Sequence, residues 1–217
     1  MPAKTIFGGL CALAVFAAAH QQAQAVTLDS LIGGGSITVG DLVFSNFNET
    51  GTLPASSITV NFTATGIQFT ADWNTLSPNS DSSIISYDVA PVSGTLVSST
   101  LNMGGNAVVG DASASVGETI FDLVNSKTYS LQAFDGGPGN PNNSLTDTVT
   151  FNPDTTAIHV IKSIDVAASD TGTASLNFVE NIYTSGSGEE PPIPEPMSLA
   201  LIPLSVAALA LRKKIAW

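Results

Sequence analysis

The stretch ITVNFTATGIQFTADW, residues 58–73, decides the fold. Ile58, Val60 and Phe62 alternate with polar residues before a turn, and Ile67, Phe69, Ala71 and Trp73 alternate after it. A period of two puts each set on one face of a strand, whereas a helix needs recurrence every three or four residues. Thr65 and Gly66 supply the turn, so the segment is expected to be a β-hairpin with one apolar face.

The same pattern continues outward. IISYDVA carries Ile85, Tyr87 and Val89, TYSLQAF carries Tyr129, Leu131 and Ala133, and SLTDTVTF carries Leu145, Val149 and Phe151. AIHVIKSIDV and TASLNFVENIYT close the series and are expected to pair as antiparallel neighbours. GPGNPNNS, NPDTT and ASDTGT stand between runs, where Gly, Pro, Asn and Asp favour turns. TLDSLIGG, near residue 30, is expected to form one helical turn. Many short strands with such punctuation imply an all-β domain, an antiparallel two-sheet β-sandwich of jelly-roll or Ig-like type. No fixed-period repeat points to a solenoid or propeller.

Of the six basic residues, only Lys127 and Lys162 fall between residues 26 and 184, and the formal net charge of the chain is -12. An acidic body without arginine repels phosphate backbones, so no nucleic-acid partner is expected. Cys11 is the one cysteine and lies in the N-terminal apolar run, so the body holds no disulfide. Leu10 precedes it where a lipid-anchoring signal needs a small residue.

Chemistry is sparse. His159 is the one histidine of the body, and alternation puts it with Ser163 and Asp165 on the face opposite Ile158, Val160 and Ile164. Residues on one face of a strand do not make a Ser-His-Asp relay, so an exposed histidine is expected. The carboxylates are scattered, with no pair singled out for glycoside hydrolysis. Asp135, Asn140, Asn142, Asn143 and Asp147 gather hard oxygen donors in FDGGPGNPNNSLTD, a calcium candidate whose spacing is not that of an EF-hand. Trp73, Tyr87, Tyr129 and Tyr183 are candidates for stacking on sugars, although three of them fall on core-like alternation. The expected set of catalytic residues is empty, and no cofactor other than calcium is suggested.

The ends differ from the body. Lys4, the apolar residues 6–19 and the small-x-small step Ala23-Gln24-Ala25 form a secretory signal, with cleavage after Ala25. Residues 197–211 are apolar apart from Ser198 and Ser205, and as a helix they would span roughly 22 Å, short of a bilayer core. Arg212, Lys213 and Lys214 follow as a cytoplasmic stop. Pro194-Glu195-Pro196, the apolar segment and the basic cluster together resemble the PEP-CTERM sorting signal of Gram-negative exported proteins.

That resemblance implies recognition of Pro194, Glu195 and Pro196 by an exosortase, a membrane-embedded transpeptidase-like enzyme, and a link to exopolysaccharide and biofilm. Residues 27–47, TLDSLIGGGSITVGDLVFSNF, are similar to the start of a group of such proteins with an extracellular β domain. The expected organisation is a signal peptide at 1–25, a sandwich at 26–184, a Ser/Gly/Glu/Pro linker at 185–193 and the sorting signal at 194–214, with signal and transmembrane helices flanking the β domain. The expected partners are signal peptidase, the export translocon, the exosortase, the membrane and exopolysaccharide. The leading expectation is an exported, non-enzymatic cell-surface or matrix protein. The alternative is a lectin-like, calcium-dependent carbohydrate-binding sandwich, and a third reading is a secreted glycosidase.

Overall fold

The computed structural model describes residues 25–76, 79–169 and 171–186, and alternation organises nearly all of them into strands. In chain order these are β1 (Ala25–Thr27), β2 (Ile37–Val39), β3 (Leu42–Gly51), β4 (Thr59–Thr63), β5 (Gly66–Leu76), β6 (Ser80–Pro91) and β7 (Thr95–Gly104). There follow β8 (Ala107–Val109), β9 (Ala112–Asp122), β10 (Lys127–Asp135), β11 (Thr146–Thr155), β12 (Ile158–Ala168) and β13 (Thr173–Gly186). Short 3-10 turns at Leu28–Ser30 and Ala55–Ser57 are the helical elements among the described residues. The first is the expected turn in TLDSLIGG.

Two antiparallel sheets result. The seven-stranded sheet runs β1-β4-β5-β13-β7-β11, with β8 also on β13, and the six-stranded sheet runs β10-β9-β12-β6-β3-β2. Their inner faces carry the alternating apolar residues of both layers, so the fold is the expected all-β sandwich. The opening hairpin is β4 and β5, with Val60 opposite Phe69 and Phe62 opposite Ile67. Its turn is Ala64-Thr65, one residue earlier than expected, because Gly66 already pairs with Thr63.

Two expectations fail. β12 and β13 are not paired: β12 lies between β9 and β6, while β13 lies between β5 and β7 in the other sheet. β12 ends at Ala168 in one sheet and β13 begins at Thr173 in the other, and each takes an interior place in its own sheet. NPDTT is not a separator either, since residues 152–155 belong to β11, where the register shifts between Thr150 and Thr155. β3, β7 and β9 supply three further long strands that the sequence pattern did not disclose.

Phe44, Phe62 and Phe69, with Tyr87, fill the centre, the first pair at 5.4 Å between ring centroids and Phe69 to Tyr87 at 5.5 Å. Trp73 is fully buried and donates its indole N–H to the Ser83 hydroxyl of the facing sheet at 3.1 Å. The β9–β10 turn is held by Asp122. Its Oδ1 accepts the backbone N–H of Val124 and Asn125 and the Thr155 hydroxyl, and its Oδ2 accepts the Asn125 side chain. Burial by itself raises this carboxyl, but those hydrogen bonds outweigh it and hold it below its ordinary value.

The sign follows from linkage. A depressed carboxyl stabilises the fold fully above its unfolded value, and that contribution disappears as pH falls below about 4 and through the folded value. Asp122→Asn is therefore expected to lower stability near neutral pH by about 1–3 kcal/mol. Urea unfolding across pH 2–7 should show a flatter acid limb in the variant than in the parent.

Candidate functional site

The outer face of the six-stranded sheet is built from small polar residues. Along β9 these are Ser113, Ser115, Gly117 and Thr119, alternating with buried Ala114, Val116, Glu118 and Ile120. Register fixes their neighbours. Thr119 lies between Ser130 and Ile161, Gly117 between Gln132 and Ser163, and Ser115 between Phe134 and Asp165. The outward side chains of β9 are shorter than those of Gln132, Phe134 and Ile161 beside them, and the surface dips.

Three depressions follow one another along it. The first, of about 530 Å³, is lined by Gly117, Thr119, Ser130, Gln132, Asp147 and Ser163 among others. Gln132 also lines the second, of about 300 Å³, with Phe134, Asn142 and Ser144. Phe134 in turn lines the third, of about 470 Å³, with Asp111, Ser113, Asn140 and Ser169. From Thr119 to Ser113 the groove extends for about 20 Å at the strand rise. Its chemistry is hydroxyl, carboxamide and carboxylate groups around one half-buried phenyl ring, the mixture that orients a polar ligand with apolar faces.

The loop over the far end is shaped by its own hydrogen bonds. Asp135 Oδ1 accepts Gly137 N–H at 2.9 Å, and its Oδ2 accepts the Asn106 side chain. Asn143 Oδ1 accepts Gly136 N–H and Asn140 Oδ1 accepts Asn142 N–H. Asp147 stands on β11 and accepts Gln132 N–H at 2.9 Å. Asp135, Asn140, Asn143 and Asp147 thus spend oxygens on turn and strand closure, while Asn142 contributes its backbone N–H. Among the described residues no three His, Cys, Asp or Glu side chains gather as a metal group. Gly136 permits the loop to lie flat, since a Cβ there would meet Asn140 Nδ2 at 2.1 Å and Phe134 Cε1 at 2.9 Å.

His159 occupies the expected outer face, half-buried, and finds a carboxylate that sequence reasoning did not offer it. Its Nδ1 lies 2.6 Å from Asp88 Oδ1 on the neighbouring strand β6. Asn46, at φ 55° in a bulge of β3, donates to the other oxygen of Asp88 at 2.6 Å. Ser163 donates to Asp165. Trp73, Tyr87 and Tyr183 are buried in the core and offer no platform to sugars. Tyr129 packs edge-on against Phe151, and its hydroxyl accepts Asn152 N–H. Phe134, which the sequence did not single out, is the ring in the groove.

A second cluster lies inside. Lys162 on β12 contacts Glu118 on β9 through a hydrogen-bonded ion pair with no exposed side-chain surface on either partner. Asn181 on β13 donates to Glu118 Oε1 at 2.9 Å and to Ser99 Oγ at 3.2 Å. Tyr87 OH donates to Asn181 Oδ1 at 3.0 Å and lies 3.0 Å from Tyr183 OH. Burial pushes the Lys162 amine below its ordinary value, with Glu118 opposing, and burial pushes both tyrosines well up, with the Glu118 charge adding to it. Neither Lys162 nor Glu118 was read as a core residue. Ala25 opens β1 opposite Asn61. Ala23, Pro194, Glu195, Pro196, Arg212, Lys213 and Lys214, with both flanking helices and most of the linker, lie outside the described residues.

No protein-family model matches the chain, and no curated protein matches it. Among solved structures, TmCBM61 in complex with β-1,4-galactotriose is similar at 12% identity over 65% of this chain and 90% of that one, with a TM-score of 0.37. The enzymatically active domain of bacteriophage CBA120 tailspike protein 4 is similar at 12% identity with a TM-score of 0.30. The match covers 66% of this chain and 19% of the tailspike chain. Likeness at this level carries nothing about a ligand.

Gly117 gives the site a mutable floor. A Cβ there meets nothing within 4 Å, and a glycine inside a strand costs backbone entropy. Gly117→Val is expected to leave the melting temperature unchanged or raise it, as thermal unfolding followed by circular dichroism will show.

Proposed function

We propose that the sandwich is a non-catalytic module that binds neutral polysaccharide along the groove of the six-stranded sheet. The observation that carries this is the row of adjacent depressions: the first and second share Gln132 in their lining, and the second and third share Phe134. A chain of sugar rings presents hydroxyls at its edges and C–H groups on its faces. Ser, Thr, Asn and Asp side chains suit the former, and the phenyl ring of Phe134 suits the latter. The net charge of -12 disfavours an anionic polymer, so the ligand class is neutral.

The module is exported in this reading. The Lys4 and Ala23-Gln24-Ala25 pattern directs secretion, and Pro194-Glu195-Pro196 with Arg212, Lys213 and Lys214 directs sorting by an exosortase to the cell surface or matrix. In the presence of the sorting enzyme, mass spectrometry of surface-extracted protein should find no C-terminal peptide that includes residues 197–211. In its absence that peptide should be intact.

Binding is tested by affinity electrophoresis through gels containing neutral polysaccharides, β-linked galactans and glucans first, with and without a calcium chelator. Retardation that is indifferent to the chelator is expected. Phe134→Ala should weaken it roughly tenfold, the equivalent of about 1.4 kcal/mol, and Gly117→Val should weaken it with no loss of stability. Free migration of the parent protein on every neutral polymer, or equal retardation of parent and Phe134→Ala, removes the reading.

A further inference from the structure

One carboxylate in the core touches both a primary amine and a carboxamide, and the two come from opposite sheets. Lys162 Nζ lies on Glu118 Oε2 within the six-stranded sheet, while Asn181 Nδ2 reaches Glu118 Oε1 from the seven-stranded sheet at 2.9 Å. Asn181 is orientated unambiguously by its partners. Its nitrogen donates to Glu118 and Ser99, and its oxygen accepts the Tyr87 hydroxyl. All of these residues are buried.

A static ion pair explains this arrangement poorly. An ammonium has three N–H bonds to place, and Glu118 is the partner found for Nζ among the described residues. A dry site favours the neutral amine, which has a lone pair, and burial moves Lys162 in that direction. The carbonyl is also prepared for attack. Tyr87 donates to the oxygen on which negative charge grows as a carboxamide becomes tetrahedral, and the nitrogen that must leave already rests on a group able to protonate it.

We propose that Lys162 and Asn181 condense, with Glu118 as proton carrier, into an amide crosslink that joins the two sheets. The Nζ lone pair adds to Cγ of Asn181, and Glu118 accepts a proton from Nζ. Tyr87 holds the oxygen of the tetrahedral carbon. The Cγ–Nδ2 bond then breaks as Glu118 delivers the proton to Nδ2, and ammonia departs. Amine and carboxamide become a secondary amide and ammonia, and neither oxidant nor activated co-reactant enters the balance. Glu118 is the catalytic residue because it touches both reacting nitrogens, and Ser99 is a positioning residue.

The full-length chain, purified in folded form, tests this by peptide mapping. Trypsin is expected to leave the bond after Lys162 uncut, because an acylated Nζ carries no charge for the protease. Chymotrypsin should release the Lys162 and Asn181 peptides joined, at their summed mass less one ammonia, about 17 Da. Glu118→Gln keeps the volume and removes the proton carrier, and should give the two peptides separately at full mass with an unchanged near-ultraviolet circular dichroism spectrum. If that variant does not fold, Lys162→Met, which lacks the amine, provides the uncrosslinked reference. Parent protein with a native spectrum that yields both peptides separate and unmodified after prolonged incubation overturns the proposal. A crosslink that still forms in folded Glu118→Gln overturns the role given to Glu118.

Discussion

The Glu118 carboxylate sits where two apolar layers meet, and the rest of the sandwich is arranged so that it is never left alone. An unpaired charge there would cost several kcal/mol, enough to remove much of the stability of a domain this size. Its partners come from β12, directly opposite in the ladder, and from β13 across the layer gap. This ties the register of the six-stranded sheet to the position of the other sheet. A slip of one residue in β9 or β12 would turn one member of the pair to the outer face and leave the other buried, so the polar cluster specifies an alignment that interchangeable apolar residues would not.

The same requirement explains what could be read from the sequence. The hairpin of β4 and β5 was legible because Ile58, Val60, Phe62, Ile67, Phe69 and Trp73 are large and regularly spaced, and all six are fully buried. β9 was not, because its inward positions are Ala114, Val116, Glu118 and Ile120, and a glutamate among small residues hides the alternation. Lys162 shows the reverse. It falls in phase with Ile158, Val160, Ile164 and Val166, so periodicity alone put it inside, while the usual exposure of lysine argued it outside. The pairing of β12 with β13 failed for a different reason: sequential strands are often neighbours, and here the short connection passes between layers.

The groove was invisible in the sequence because it has no distinctive residue type. It arises where Ser, Thr and Gly from β9, β10 and β12 fall side by side, and that juxtaposition depends on register between the β9–β10 hairpin and a strand distant in the chain. The long loop before β11 could be recognised as a turn-rich segment. That its asparagine and aspartate oxygens accept backbone N–H groups depends on how it folds over Phe134, which composition does not encode.

The central place of β13 has a mechanical meaning. It is hydrogen-bonded to β5 on one side and to β7 on the other, both antiparallel to it, along most of its length. Tension applied at Gly186 along the strand axis would act at right angles to those bonds, so they would bear load in parallel and yield together. An edge strand tugged from one end would instead peel, one bond after another. A strand pulled from the middle of a sheet therefore resists in the geometry where hydrogen bonds share force best.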